Sequence, residues 1–170
     1  QNSAVGRSAL SSNTTGDGNT SIGYNSLSSN TTADNNTAVG RNTLNDNTTG
    51  ASLVALGYRA LAANTCGDNN TGLGFNALQT NTTGCNNTAV GTWALCKNTV
   101  DNNVAVGYNA LGVNTTGCKN TALGFAAAAA TTSGCYNTAV GFCSLFANTT
   151  GHGNTIAGFL AAAKSTCADY

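Results

Sequence analysis

The stretch that decides the fold is Asn87-Thr-Ala-Val-Gly91, which follows Asn81-Thr-Thr-Gly84. Repetition of such a unit at a short fixed period is typical of architectures in which each repeat stacks on its neighbours. The repeats fill the 170-residue chain, which predicts one repeat domain over residues 1–170. The motif glycine recurs every 17 residues, with a single step of 16, as Gly6, Gly23, Gly40, Gly57, Gly74, Gly91, Gly107, Gly124, Gly141 and Gly158.

We number each residue by its distance from this glycine, position 0, and call the residues that share a position in successive repeats a column. Position −1 is aliphatic in nine repeats, and position +4 is leucine in eight. Both columns are predicted to point into the core. Because side chains alternate along a strand, position −3 is predicted to share the side of position −1, and position −2 to lie on the opposite face.

The repeat is too short for a helical hairpin, which needs apolar residues at 3.6-residue spacing over ten or more positions. Two or three short strands per repeat, joined by Asn/Gly corners, fit better. The prediction is therefore an all-β parallel β-solenoid (a β-helix or β-roll) of ten coils of about 17 residues with uncapped ends. The asparagines at −4 and +7 are predicted to form ladders along the axis. The glycines at 0 and +10 are predicted to adopt positive φ.

The composition argues against several classes of function. Charged residues make up 7% of the chain and the net charge is zero, so no basic patch is available for nucleic acid. No apolar run approaches the roughly 20 residues that span a bilayer, so no membrane insertion is expected. The chain has one histidine, His152, and no arrangement of acid, base and nucleophile. We expect no enzymatic activity, no catalytic residue, no metal site and no cofactor.

Two columns carry reactive or charged side chains. Cys118 and Cys135 share position +11 on adjacent coils and are the first candidate disulfide, and Cys66 with Cys85 is the second. The alternative is that several cysteines are small hydrophobic residues. The other residues at +11 are mostly aspartates. We attribute them to the preference of aspartate for turns rather than to a calcium-binding loop of the kind found in known β-roll repeats.

Position +1 forms an aromatic stripe. One interpretation is a ladder of rings stacked along the rod; the other is a surface that packs against a neighbouring rod or binds surface glycans. The ladder packed along the rod is the favoured interpretation. The stripe consists of Tyr24, Tyr58, Phe75, Tyr108, Phe125, Phe142 and Phe159.

Runs such as Asn36-Thr-Ala-Val-Gly-Arg-Asn-Thr-Leu44 and Val104-Ala-Val-Gly-Tyr-Asn-Ala-Leu111 resemble repeats of phage tail fibres and bacterial surface-fibre proteins. More distantly, they are similar to the β-roll repeats in the heads of trimeric autotransporter adhesins. The resemblance covers the whole chain. It implies a fibrous protein located outside the cell, on the cell surface or on the virion surface.

The primary functional prediction is a structural fibre whose partner is a further copy of the chain, joined end to end and side by side. The residues expected at the end-to-end joint are Asn2, Ala4, Val5, Phe159, Leu160 and Ala162. One alternative is a rod-like adhesin that binds a receptor.

The other alternative is an ice-binding solenoid that uses the invariant threonines at +8, although an inward threonine that bonds the ladder is a simpler explanation of that column. The column consists of Thr14, Thr31, Thr48, Thr65, Thr82, Thr99, Thr115, Thr132, Thr149 and Thr166. Asn-x-Thr acceptor sequences for N-glycosylation also recur, with the asparagine at +7 or +12.

Overall fold

The computed structural model describes residues 1–166, which form a parallel β-solenoid with one strand per coil. The strands make a single parallel sheet in chain order. Each strand residue pairs with the residue at the same position of the next coil, as Thr71 does with Thr88. The predicted fold class is therefore confirmed. The ten strands are β1 (Ser3–Val5), β2 (Thr20–Ile22), β3 (Thr37–Val39), β4 (Val54–Leu56), β5 (Thr71–Leu73), β6 (Thr88–Val90), β7 (Val104–Val106), β8 (Thr121–Leu123), β9 (Thr138–Val140) and β10 (Thr155–Ala157).

Each coil contains one strand of three residues, so the prediction of two or three strands per coil is wrong. The remainder of the coil is a series of turns. Residues at +2, +4 and +12 adopt left-handed backbone angles, such as φ 56° at Asn76 and 52° at Leu78, which regular strands do not contain. The turns still bond from coil to coil, because the Leu78 N–H donates to the Ala94 carbonyl at 3.1 Å.

The core contains the +4 column, as predicted, but position −1 lies outside it. The +4 leucines from Leu27 to Leu111 and Leu145 are fully buried. The small residues at −2, mostly alanine, face them from the strand and are buried too. By contrast, Val5 and Leu56 at −1 are 62% and 51% exposed. The inward assignment of −1 and −3 is therefore wrong, and both positions lie on the outer face.

The reason is the narrow interior of the coil. A Cβ built on Gly72, at −2, would lie 3.2 Å from Leu61 Cγ, so the leucine of the preceding coil fills the space behind the strand. Within the rod there is room for little more than a methyl group at −2, and the one branched aliphatic side chain there, Ile156, lies in the last coil, where it is half-buried against the core. The aliphatic residues at −1 and the threonines at −3 therefore face outward by exclusion.

Two buried asparagine ladders form the polar half of the interior, as predicted. At +7, the Asn81 Nδ2 group donates to Asn64 Oδ1 at 3.2 Å and to the Gly84 carbonyl at 2.8 Å. At −4, the Asn70 Nδ2 group donates to the same carbonyl at 2.6 Å, and its Oδ1 accepts the Asn87 N–H at 2.9 Å. The carbonyl at +10 thus joins the two ladders and closes each coil.

The glycines at 0 have φ between 126° and 136°, as predicted, whereas those at +10 do not adopt positive φ. Glycine at +10 is favoured for space instead. A Cβ on Gly50 would lie 2.6 Å from both Asn47 Oδ1 and the Gly67 carbonyl oxygen. In the 16-residue repeat, Val100 takes position +10, because its carbonyl accepts the Asn98 Nδ2 group at 2.7 Å. The missing residue is therefore the one at +9.

Within residues 1–166 we find no helix with the length and apolar character to cross a bilayer.

Candidate functional surfaces

The aromatic stripe at +1 is a continuous column of stacked planar groups. Tyr108, Phe125 and Phe142 stack with centroids 5.1 Å apart and rings 9° from parallel. Phe159 continues the column at 5.5 Å from Phe142. The rings at the other end also stack, with Tyr58 at 5.5 Å from Phe75. The predicted ladder of rings along the rod is present.

The interruptions that the sequence suggests in this stripe are filled by other side chains. Where Thr92 occupies +1, the neighbouring Trp93 ring lies 6.1 Å from Phe75 and 5.5 Å from Tyr108. The Arg41 guanidinium lies between two rings, 5.5 Å from Tyr24 and 6.0 Å from Tyr58, in cation–π geometry. Sequence reasoning missed both substitutes, although Trp93 directly follows the gap at Thr92.

The stacking determines what this column, which we call the aromatic ridge, can bind. Apart from Trp93, which meets Phe75 and Tyr108 edge-on, the rings turn their faces towards neighbouring rings or the Arg41 guanidinium, so mainly ring edges remain for a partner. The rings stay about two-fifths exposed, as in Phe75 and Tyr108. Sugar rings bind aromatic side chains through the ring face, which is covered here. The ridge therefore offers an apolar edge for packing more readily than a platform for glycans.

The outer face of the ten strands is a second surface, built from threonine at −3 and aliphatic residues at −1. No hydrogen bond within residues 1–166 reaches the −3 hydroxyls. The −1 side chains are half-buried or exposed. Sequence reasoning placed both columns inside and so missed this face. The −3 threonines are Thr20, Thr37, Thr71, Thr88, Thr121, Thr138 and Thr155.

The +8 threonines lie at the surface and are partly exposed, but their hydroxyls are used within the rod. Thr48 Oγ1 donates to the Thr65 carbonyl at 3.0 Å, and Thr65 Oγ1 donates to the Thr82 carbonyl at 3.0 Å. The alternative of an inward side chain is wrong for this column, whereas its role in bonding one coil to the next is confirmed. This column is poorly suited to binding ice, because the protons of its hydroxyls mostly have acceptors within the rod.

Column +11 holds side chains that accept the backbone N–H of the preceding coil. Asp34 Oδ1 accepts the Asp17 N–H at 2.7 Å, and His152 Nδ1 accepts the Cys135 N–H at 3.0 Å. The shared chemistry of Asp, Cys and His here is a short side chain with an acceptor atom. Residues 1–166 contain no group of three or more His, Cys, Asp or Glu placed to hold a metal ion. Asp169, also in this column, lies outside the described residues.

The first predicted cysteine pair is brought together, and the second is not. Cys118 Sγ lies 3.2 Å from Cys135 Sγ, and both are free thiols. The hydrogen bond with Cys135, followed by burial, raises the pKa of the Cys118 thiol. Cys85 Sγ accepts the Asp68 N–H at 3.3 Å, and Cys66 is an exposed free thiol.

The residues expected at an end-to-end joint lie on or directly before the first strand and in the turn that follows the last strand. Asn2, Ala4 and Val5 are exposed in the first coil. In the last coil Phe159 is 74% exposed and Leu160 is 48% exposed, while Ala162 is half-buried. Nothing in a single chain tests whether a second copy covers them.

No cavity opens in the described part of the rod. Comparison with models of known protein families, with curated proteins and with solved structures finds no match.

Proposed function

We propose that this chain is a structural, non-catalytic rod that builds an extracellular or virion-surface fibre by association with further copies of itself. The observation that carries the proposal is the aromatic ridge beside the exposed −1 column, an apolar surface that runs along the rod. Contiguous exposed apolar surface of this kind marks an interaction site in soluble proteins.

The rod is suited to a mechanical role because every coil is bonded to its neighbours. Nine intervals between ten strands, at about 4.8 Å each, give a length of roughly 43 Å. Backbone bonds, two asparagine ladders and the ring column all run along this axis. Because every coil presents nearly the same groups, a coil of one copy can stack on a coil of another, which supports association end to end.

A second copy of the chain is the partner we propose for the ridge. A contact along the full length of the ridge, roughly 43 Å, is the extended kind of surface from which an interface of ~800 Å² per partner can be built. With zero net charge and 7% charged residues, little electrostatic repulsion opposes such contact. Ring edges from two rods can pack against each other as apolar surface.

The experiment is sedimentation over a wide range of protein concentration, combined with electron microscopy. The unmodified protein should form fibres or defined oligomers, and Tyr108→Lys with Phe125→Lys should shift it to single rods of unchanged circular dichroism. The matched control places the same charges away from the ridge, as Thr83→Lys with Thr116→Lys, and should still associate. A monomeric unmodified protein, or equal behaviour of the two variants, would contradict the proposal.

A further inference from the structure

The −3 threonines differ from the +8 threonines with respect to hydrogen bonding. They lie on the outer strand face with no hydrogen bond from their hydroxyls to any group of residues 1–166. The +8 hydroxyls, by contrast, donate to the next coil, as Thr132 does to the Thr149 carbonyl at 3.1 Å. The −3 hydroxyls therefore keep both their proton and their lone pairs available to an external partner, and unlike the hydroxyls of the +9 turn threonines they lie on a sheet.

These hydroxyls are held in register in runs of two or three successive coils, separated by Val54 and Val104 at −3. The strands pair in register, so Thr71 lies directly beside Thr88. Neighbours in a parallel sheet are about 4.8 Å apart, and residues two positions apart along a strand are roughly 6.6 Å apart. Threonine is stiff at χ1 because it is β-branched, so the hydroxyl and methyl groups repeat in fixed positions.

The neighbouring column gives this array an apolar border. At −1 the aliphatic side chains Val90, Val106 and Leu123 line the outer face, half-buried or exposed. Water over such a surface cannot bond to the methyl groups and is ordered around them, while the hydroxyls between the methyl groups hold it in place. The face carries no charged side chain at −3 or −1.

We propose that the −3 and −1 columns form a binding site for ice. The partner is a crystal face of water, recognised by hydroxyls that anchor ordered water and by methyl groups around which water forms cages. The axial spacing of the hydroxyls lies close to the repeat of oxygen atoms along the a axis of hexagonal ice, so successive coils within each run of threonines meet successive lattice sites. This activity goes beyond the proposed fibre and does not depend on self-association.

The site differs from the face that the sequence suggested. At +8 the proton of every hydroxyl except those of Thr82 and Thr166 is committed to a carbonyl of the next coil, and the following residue lies in a turn rather than in a strand. The −3 column lies on a sheet, where two columns run in parallel and both face outward. The geometry therefore assigns ice binding to the strand face and not to the +8 column.

The test compares matched pairs of substitutions in adjacent coils. Thr71→Tyr with Thr88→Tyr puts bulky rings on the strand face, where tyrosine is compatible with the strand. Thr82→Tyr with Thr99→Tyr does the same at +8. We expect the unmodified protein to show thermal hysteresis and to partition into a growing ice hemisphere. The first pair should reduce both signals to the level of a buffer blank, and the second should leave them unchanged.

Circular dichroism and urea midpoints check that each variant is folded. If the +8 pair does not fold, Thr83→Tyr with Thr116→Tyr, on exposed turn positions, replaces it as the control. Absence of hysteresis in the unmodified protein would overturn the proposal, as would hysteresis that survives the strand-face pair. Sedimentation of the same samples separates this result from the fibre proposal, because a rod that fails to associate can still bind ice.

Discussion

The asparagine ladder at +7 has one defect, and repairing it should stabilise the rod. In the eighth repeat Thr131 takes the place of asparagine and is fully buried. Its hydroxyl and the Oδ1 atom of Asn114, the preceding rung, both lack a hydrogen-bond partner. The next rung, Asn148, bonds to its own turn through the Gly151 carbonyl at 3.1 Å. The ladder is thus broken between the segment that ends at Asn114 and the single rung Asn148, which is followed by Ser165 at +7.

Thr131→Asn restores the missing rung. The new Nδ2 group would donate to Asn114 Oδ1, and the new Oδ1 would accept from Asn148 Nδ2, as intact rungs do when Asn64 donates to Asn47 at 2.8 Å. Threonine and asparagine have similar volumes, so little overpacking is expected. Two neutral hydrogen bonds at about 1 kcal/mol net each raise the free energy of unfolding by about 2 kcal/mol.

The assay is urea unfolding followed by circular dichroism and by fluorescence of Trp93, the single tryptophan. With a slope of about 2 kcal/mol per molar urea, the midpoint should rise by about 1 M at unchanged slope. The reciprocal variant Asn64→Thr breaks an intact ladder and should lower the midpoint by at least as much. An unchanged or lower midpoint for Thr131→Asn would refute the reasoning, since the rung would then contribute nothing.

Three further outcomes follow from the same structure. Leu78→Ala should lower the free energy of unfolding by about 2–5 kcal/mol because it opens a cavity. Val90→Ala, on the outer face, should lower it by under about 1 kcal/mol, as measured by urea unfolding. Equal decreases for the two variants would contradict the assignment of faces. Because Cys135 raises the pKa of the Cys118 thiol, Cys135→Ala should move the pH–rate profile of Cys118 alkylation to lower pH, and an unmoved profile would exclude that hydrogen bond as the cause. Passage through a secretory pathway that N-glycosylates should prevent folding, because the +7 acceptor Asn47 is fully buried. Valine in place of each +9 threonine removes the acceptor sequences at +7 and should restore folding. A folded product with a glycan on Asn47, shown by mass spectrometry and circular dichroism, would contradict this.

The fold was predictable because it follows from the period of the sequence. Equal spacing of Gly74 and Gly91 fixes the length of a coil, and identical residues in register predict parallel stacking. The buried asparagines were also predictable, since an amide that recurs at +7 can bond only to its own kind along the axis. The candidate surfaces were harder to predict from the sequence. Trp93 joins the ring column from position +2, and the sequence does not show how far a ring reaches.

The sequence by itself determined the solenoid, its register, its leucine column and its polar ladders, because all of these depend on which residues repeat. Only the tertiary structure decided which side of each strand faces inward. Alternation in Thr-Ala-Val is equally compatible with either face, and hydrophobicity favours the valine side for the core. The leucine at +4 fills the narrow coil from the opposite wall, so only the small residue at −2 fits against it. Valine and threonine are therefore placed on the surface, where they form the face on which the ice-binding proposal depends.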